Sequence, residues 1–350
     1  MRYFYTINLK RIVLSFISLL LILFITAFSL IFFGKNKSEA YIIPGYKIQD
    51  KDITFNDKNG GPKVKLYIQA KNQVVEMYLE EYIRGVVAAE MPASFEMEAL
   101  KAQAVAARTY AVAHMEEFGG RSCVNAHGGN LCSEVHCQAY IDKDSRFNAW
   151  PKGQGESYWN KLTEAVLQTS GQVLTYNDKL VMEPFYFAVS SGKTYNSQEV
   201  FSSAVPYLVS VDSPGEEKAE KFINTTKLSY KDFIAKINAA YPLAKLTNSN
   251  VKKAIKITPW STGTVKEVKA GNVVMSGPDF RKLFGLSSAN FTLKFNSSNV
   301  EITSKGYGHG VGMSQWGAGI MAKQGSSYTQ ILTHYYKGTK VDKIEVLFKK

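Results

Sequence analysis

Leu79-Glu-Glu-Tyr-Ile-Arg-Gly-Val-Val-Ala-Ala-Glu-Met91 runs straight into Pro92. Leu79, Tyr82, Ile83, Val86, Val87 and Glu90 recur at helical spacing and share one face, and the proline makes the residue before it a helix end. Upstream the period is two, so Val64 to Ala70 and Val74 to Met77 read as short strands. Downstream, Ser94 is placed to cap a second helix from Phe95 to about His114, with Glu96 and Glu98 in its first turn, where negative charge is favoured. Ala99, Ala102, Ala106 and Ala113 give that helix a stripe of small residues against which another element can pack closely. Short strands leading into a helix pair predict a mixed α+β fold.

The rest of the chain extends this pattern. Gly119 to Gly155 holds all three cysteines and little periodicity, and reads as a long functional loop. Tyr158 to Ser170 reads as a helix stopped by Gly171, and Val173 to Tyr176, Asn177-Asp178 and Leu180 to Val189 as a hairpin. A helix near Tyr230 to Tyr241 and several strands between Val251 and Ile302 follow, with no internal repeat. The run Gly306-Tyr-Gly-His-Gly-Val-Gly-Met-Ser-Gln-Trp-Gly317 describes a backbone that turns tightly or lets a ligand approach closely.

At the start, Ile12 to Phe33 is uncharged, mostly apolar and long enough to cross the ~30 Å core of a bilayer. With Arg2, Lys10 and Arg11 before it, it reads as an uncleaved single-pass anchor, the rival being a signal peptide cut near Ser38-Glu-Ala40. The expected organisation is a tail and transmembrane anchor over residues 1–33, a polar tether over 34–62 and a folded extracytoplasmic domain over 63–350. The net charge of +12 requires no nucleic acid; it suits a surface carrying carboxylates and phosphates, or plain solubility.

Two groups carry chemistry. Glu90 falls in the last turn of its helix, where the backbone dipole disfavours negative charge, and Ala88, Ala89 and Met91 offer no cation. A carboxyl held neutral near pH 7 suits a general acid for glycosidic cleavage, and a solvated helix-end glutamate is the bland alternative. In the long loop, His127, Cys132, His136 and Cys137 supply the two thiolates and two imidazoles of a closed tetrahedral zinc shell, leaving Cys123 outside it. A Cys132 to Cys137 disulfide, or no bond, are the alternatives.

Four blocks in order resemble the stage II sporulation protein D family: Tyr82-Ile-Arg-Gly-Val-Val-Ala-Ala-Glu-Met-Pro92, Ala99-Leu-Lys-Ala-Gln-Ala-Val-Ala-Ala-Arg-Thr-Tyr-Ala111, Ser190-Ser-Gly-Lys-Thr194 and Gly308-His-Gly-Val-Gly-Met-Ser-Gln-Trp-Gly-Ala318. The third has one glycine fewer than the family's fuller form. The resemblance implies a lytic transglycosylase that cuts peptidoglycan glycan strands to 1,6-anhydro-N-acetylmuramic acid ends during engulfment of the forespore, in the septal intermembrane space. It implies Glu90 as the catalytic acid, with Lys101 and Arg108 supporting the site. Ser191, Lys193, His309 and Gln315 are expected to line the glycan groove. Implied partners are strands stripped of stem peptides by stage II sporulation protein P, with protein M in the same membrane complex. A non-enzymatic activator of a wall amidase is the rival function, and a metalloenzyme centred on the cysteine loop a weaker one.

Overall fold

Strands β1 (Lys63–Ile68) and β2 (Gln73–Tyr78) pair antiparallel, and the period then changes, as the sequence predicts, into helix α1 (Leu79–Glu90). The computed structural model describes residues 61–201 and 203–348, within the compact unit Phe55–Lys350. Helix α2 (Met97–Val112) follows, and its position explains its alanines. Ala99, Ala102, Ala104, Ala106, Ala107 and Ala111 are all fully buried, because several neighbouring elements pack against α2. The expectation was a stripe; Ala104, Ala107 and Ala111 widen it to about half the helix surface, so that several backbones close on it. Its N-cap residue is Glu96, without a side-chain cap, so Ser94 does not play the capping role predicted for it.

The long loop holds two short elements, strand β3 (Leu131–Cys132), parallel to β1, and helix α3 (Lys143–Ala149). Helix α4 (Gly155–Gln168) packs on α1 and α2. The hairpin of β4 (Gln172–Tyr176) and β5 (Lys179–Leu180) turns through Asn177 and Asp178, both with positive φ, as a two-residue turn of this chemistry requires. Its second strand ends at Leu180 instead of Val189. A new strand, β6 (Tyr186–Phe187), takes up the remainder and pairs elsewhere.

A second hydrophobic core lies in a lobe inserted between two adjacent strands, β7 (Ile223–Ser229) and β12 (Asn299–Lys305), so the chain leaves and re-enters the main body side by side. The lobe contains helix α5 (Tyr230–Ala240), strands β8 (Ile255–Pro259), β9 (Val265–Ala270) and β10 (Val273–Ser276), helix α6 (Gly277–Phe284) and β11 (Phe291–Phe295). Phe233, Phe280, Phe284 and Phe291 stack at its centre. Asn290 donates to the Ser191 hydroxyl (3.1 Å) and Thr262 to the Glu199 carboxylate (2.5 Å), fastening lobe to body.

The glycine-rich run then crosses the segment 185–195. Strand β13 (Met313–Ser314) lies parallel to β6 and leads into helix α7 (Gln315–Lys323); helix α8 (Tyr328–Tyr335) and β14 (Lys340–Lys343), paired with β4, close the body. A Cβ at Gly310 would sit 2.2 Å from the Tyr195 ring and one at Gly312 2.0 Å from the Phe185 carbonyl oxygen, and both have φ near +80°. These glycines serve the close approach of another backbone.

No helix among the described residues is long and apolar enough to cross a membrane, and this overturns the single-pass membrane placement expected from the sequence. Ile12 to Phe33, on which that expectation rested, lies outside the described residues, as does nearly all of the tether.

Candidate functional site

Glu90 is the last residue of α1, and its carboxylate is mostly buried. Oε1 accepts the Ala139 backbone N–H at 2.8 Å, and Oε2 faces the Gln315 side-chain amide at 3.4 Å. Burial raises its pKa, and the hydrogen bonds from Ala139 and Gln315 pull weakly the other way. With Oε1 held by a backbone donor, Oε2 is the atom left to carry a proton. Among the described residues, no second carboxylate contributes to this shift. A pair close enough to divide acid and nucleophile duties would do so.

Behind Glu90 runs a neutral polar network. Gln315 Nε2 also donates to Gln103 Oε1 (3.3 Å), and the Gln103 amide nitrogen is buried without a partner. Gln138 donates to the Tyr82 hydroxyl and the Ala107 carbonyl and accepts from the Tyr186 hydroxyl at 2.8 Å. Neither Gln138 nor Tyr186 was singled out from the sequence. The signal for Gln138 is that Gln138-Ala139 directly follows Cys137, the last of the clustered cysteines; Tyr186 has none.

The other expected site residues divide. Gln315 meets Glu90. Ser191 shares a hydrogen bond with the Tyr195 hydroxyl (2.9 Å), and Lys193 is exposed, 3.8 Å from Asp212. His309 is engaged at both nitrogens: Nε2 donates to the Tyr186 carbonyl (3.0 Å) and Nδ1 accepts from the Val311 N–H (3.2 Å). Burial lowers its pKa to about 4, so it stays neutral and braces the strand that carries Tyr186. Lys101 pairs with Glu98 at 2.6 Å and lies 5.7 Å from the centre of the Tyr328 ring.

Arg108 departs furthest from its expected role. It is fully buried, and its guanidinium grips Glu80 through Nε (2.8 Å) and Nη2 (2.5 Å) and donates to the carbonyls of Ala104, Val166 and Gln172. No donor is left for a sugar. Arg108 joins α1, α2, α4 and β4, and holds the fold.

A second buried acid was missed altogether. Glu216 is fully buried, accepting from the Ser190 N–H, the Ser190 and Ser213 hydroxyls and the Ser314 hydroxyl at 2.6–2.7 Å. Burial raises its pKa against these hydrogen bonds. It ties together the starts of the Ser191–Lys193 loop and of α7, where Gln315 sits. Three serines scattered over the chain give no sequence pattern to find it by.

The cysteine loop gathers Cys123, Cys132, His136 and Cys137, whose ligand atoms all lie within 4.8 Å of one another. Cys132 and Cys137 sulfurs are 3.4 Å apart, and Cys123 Sγ is 3.4 Å and Cys137 Sγ 3.8 Å from His136 Nδ1. Tetrahedral bonds of ~2.3 Å to sulfur and ~2.0 Å to nitrogen require edges of about this length. The group could therefore hold a metal. The fourth ligand differs from the expected one. His127 has φ +45° and lies on the Tyr67 ring (4.5 Å between centroids), while the turn from Cys123 to Asn130 brings Cys123 back to Cys132.

A family model described as Stage II sporulation protein matches residues 67–176, from β1 to the end of β4. Stage II sporulation protein D of Bacillus subtilis (strain 168) is 38% identical over 292 residues, covering 82% of this chain and 81% of its own length. This chain belongs to the stage II sporulation protein D family. The protein of that name from Bacillus amyloliquefaciens is 36% identical over 294 residues, 84% of this chain and 82% of its own. A third relative, named amidase enhancer, from Bacillus subtilis (strain 168), is 30% identical over 310 residues, covering 73% of this chain but 40% of its own length. The family match, 67–176, contains α1, the cysteine loop and Arg108; Gln315 and Glu216 lie beyond it.

Proposed function

We propose that this sporulation protein is a lytic transglycosylase of peptidoglycan glycan strands. The observation that carries the reading is Glu90: one buried carboxyl with a raised pKa, among neutral amides and hydroxyls, with no second carboxylate among the described residues acting on it. Glu90 Oε2 gives its proton to the glycosidic oxygen as the C1–O bond breaks. The 6-hydroxyl of the same muramic acid then attacks C1 and returns its proton to Oε2, closing the 1,6-anhydro ring. Acid and base are one group, so one carboxyl suffices. Gln315 and the Ala139 N–H hold that carboxyl in place, and Ser191 and Lys193 offer polar contacts to the strand. Strands already stripped of stem peptides by stage II sporulation protein P, with protein M in the same complex, are the substrate that goes with this chemistry.

In the cysteine loop we take the metal to be zinc, held by Cys123, Cys132, His136 and Cys137. Four protein ligands close the shell, so zinc would order the loop. The test of the main reading is mass spectrometry of glycan digested by the protein and by Glu90→Gln. Anhydro ends made by the first and lost in the second are expected; reducing ends alone would mean hydrolysis.

The relative named amidase enhancer favours a second reading, in which the chain stimulates an amidase without cutting glycan. That reading is upheld if purified amidase speeds up equally with the Glu90→Gln chain and no anhydro ends form.

A further inference from the structure

The charge of this chain is unevenly placed. Residues 223–305, the inserted lobe, carry thirteen cations against four carboxylates, so the lobe holds nine of the twelve excess positive charges in under a quarter of the length. Its ion pairs are few: Lys227 with Glu301 at 3.6 Å and Lys266 with Glu267 at 3.9 Å.

The excess has a focus. In the sheet β8–β9–β10, Lys256 is the register partner of Lys269, and Val274 is the partner of Lys269 on its other side. Partners directly opposite share a face, so this row presents two lysines and a valine, all exposed, Val274 at 58%. Lys252 and Lys253 precede β8 on a one-turn helix and are also exposed. The next row of the same face is Thr258, Glu267 and Ser276, and its carboxylate is the one engaged by Lys266. Two like charges directly opposite in an antiparallel pair destabilise the sheet. Sequence with no use for that repulsion is expected to place a neutral or acidic residue at one of the two positions.

We infer that this face binds a polyanionic strand, and specifically the carboxylates of a peptide-stripped glycan. The inference rests on the proposed function. Removing a stem peptide leaves a free carboxylate on every muramic acid, so a stripped strand is a polyanion with regular charge and apolar sugar faces between. Lysines with an exposed valine beside them match that alternation. The location fits as well. The turn between β8 and β9 bonds to Glu199 through Thr262, and Asn290 of the lobe bonds to Ser191, so the lobe that carries this face is fastened to the body at the loop of Ser191 and Lys193.

The experiment uses the full chain with Glu90→Gln, so that binding is read without cutting, and compares it with the same chain carrying Lys256→Ala and Lys269→Ala. Binding to stripped glycan strands is expected to weaken steeply between 50 and 200 mM salt and to fall roughly tenfold or more with the double change. The melting temperature should stay level or rise, since a like-charge pair is removed. Equal binding to strands whose carboxylates are methyl-esterified overturns the inference, as does unchanged binding by the double variant. Equally tight binding of duplex DNA by the same face would make it a surface for any polyanion and overturn the assignment to glycan. Failure of the native chain to form anhydro ends would sink the proposed chemistry while leaving these binding results to stand or fall by themselves.

Discussion

Glu90→Gln separates chemistry from structure cleanly because of the amides around it. Glutamine keeps the length of the side chain, and its carbonyl oxygen can still accept the Ala139 N–H now bonded to Oε1 at 2.8 Å. The new NH₂ then faces the Gln315 NH₂ across the present 3.4 Å contact, donor against donor. Turning the Gln315 amide over removes that clash and sets its oxygen toward Gln103, whose own amide nitrogen is buried and unpartnered. Turning Gln103 as well gives that nitrogen an acceptor. Two amide flips thus restore the network, and stability should change by no more than about 1 kcal/mol. Activity should fall by ~10²–10⁴, the usual worth of a general acid. The pH dependence gives a second reading. Glu90 holds its proton to a higher pH folded than unfolded, so the native chain loses stability as pH rises from the ordinary value of 4.5 through the raised one. Glu90→Gln lacks that loss, so its stability relative to the native chain should grow over the same window; Glu216 titrates alike in both and cancels. Denaturant melts across pH and anhydro-end release are the measurements. Full release by the variant, or a flat stability difference, would refute the reasoning.

Three further expectations follow from the geometry. Arg108→Lys keeps the charge but loses the fork on Glu80 and leaves buried carbonyls without donors, so it should cost at least ~2 kcal/mol in denaturant melts and reduce activity only as far as it unfolds the chain; a stable, inactive variant would return Arg108 to the substrate. Metal analysis should find about one zinc per chain, lost together with thermal stability in Cys123→Ser and retained in His127→Ala; the opposite pattern would restore His127 as the ligand. Glu216→Ala removes the acceptor of four hydrogen bonds and opens a cavity, for ~3–5 kcal/mol, whereas Glu216→Gln should cost less because Ser190 and Ser213 hydroxyls can rotate to accept; equal costs for the two would show that the hydroxyls are fixed.

What the sequence made legible was whatever repeats at a fixed local period. The strands before Leu79, the helix ending at Pro92 and the Asn177-Asp178 turn are all set by neighbours within a few residues, and the structure has them. Glu90 was readable for the same reason, since a helix end is a local fact. The partners of side chains were not. Arg108 and Lys101 share a helical face, yet Arg108 is fully enclosed by its neighbours and Lys101 only partly covered, so a shared face did not mean a shared solvent-facing site. Cys123 is brought back to Cys132 by a turn ending at Asn130 whose left-handed residues are His127 and Gly128, and cysteine spacing does not contain that geometry. The glycines at 310 and 312 were legible as a demand for close approach, but not as to what approaches.

The cysteine loop and the acid are joined by three consecutive residues. Cys137 belongs to the cysteine and histidine cluster that could hold a metal, Gln138 locks onto Tyr82, Ala107 and Tyr186, and Ala139 offers its N–H to Glu90. The chain then passes over α1 at Gly85, where Tyr140 and Ile141 come so near that a Cβ would lie 2.3 Å from the Tyr140 ring. The burial that raises the Glu90 pKa is therefore partly built from this loop, and so is the hydrogen bond that commits Oε1 and leaves Oε2 for the proton. A helix end alone would leave the carboxylate in solvent, without the burial that raises its pKa. The acid proposed here needs the loop folded across it, and among the described residues the cysteine and histidine cluster is the feature best suited to holding so irregular a segment in one conformation.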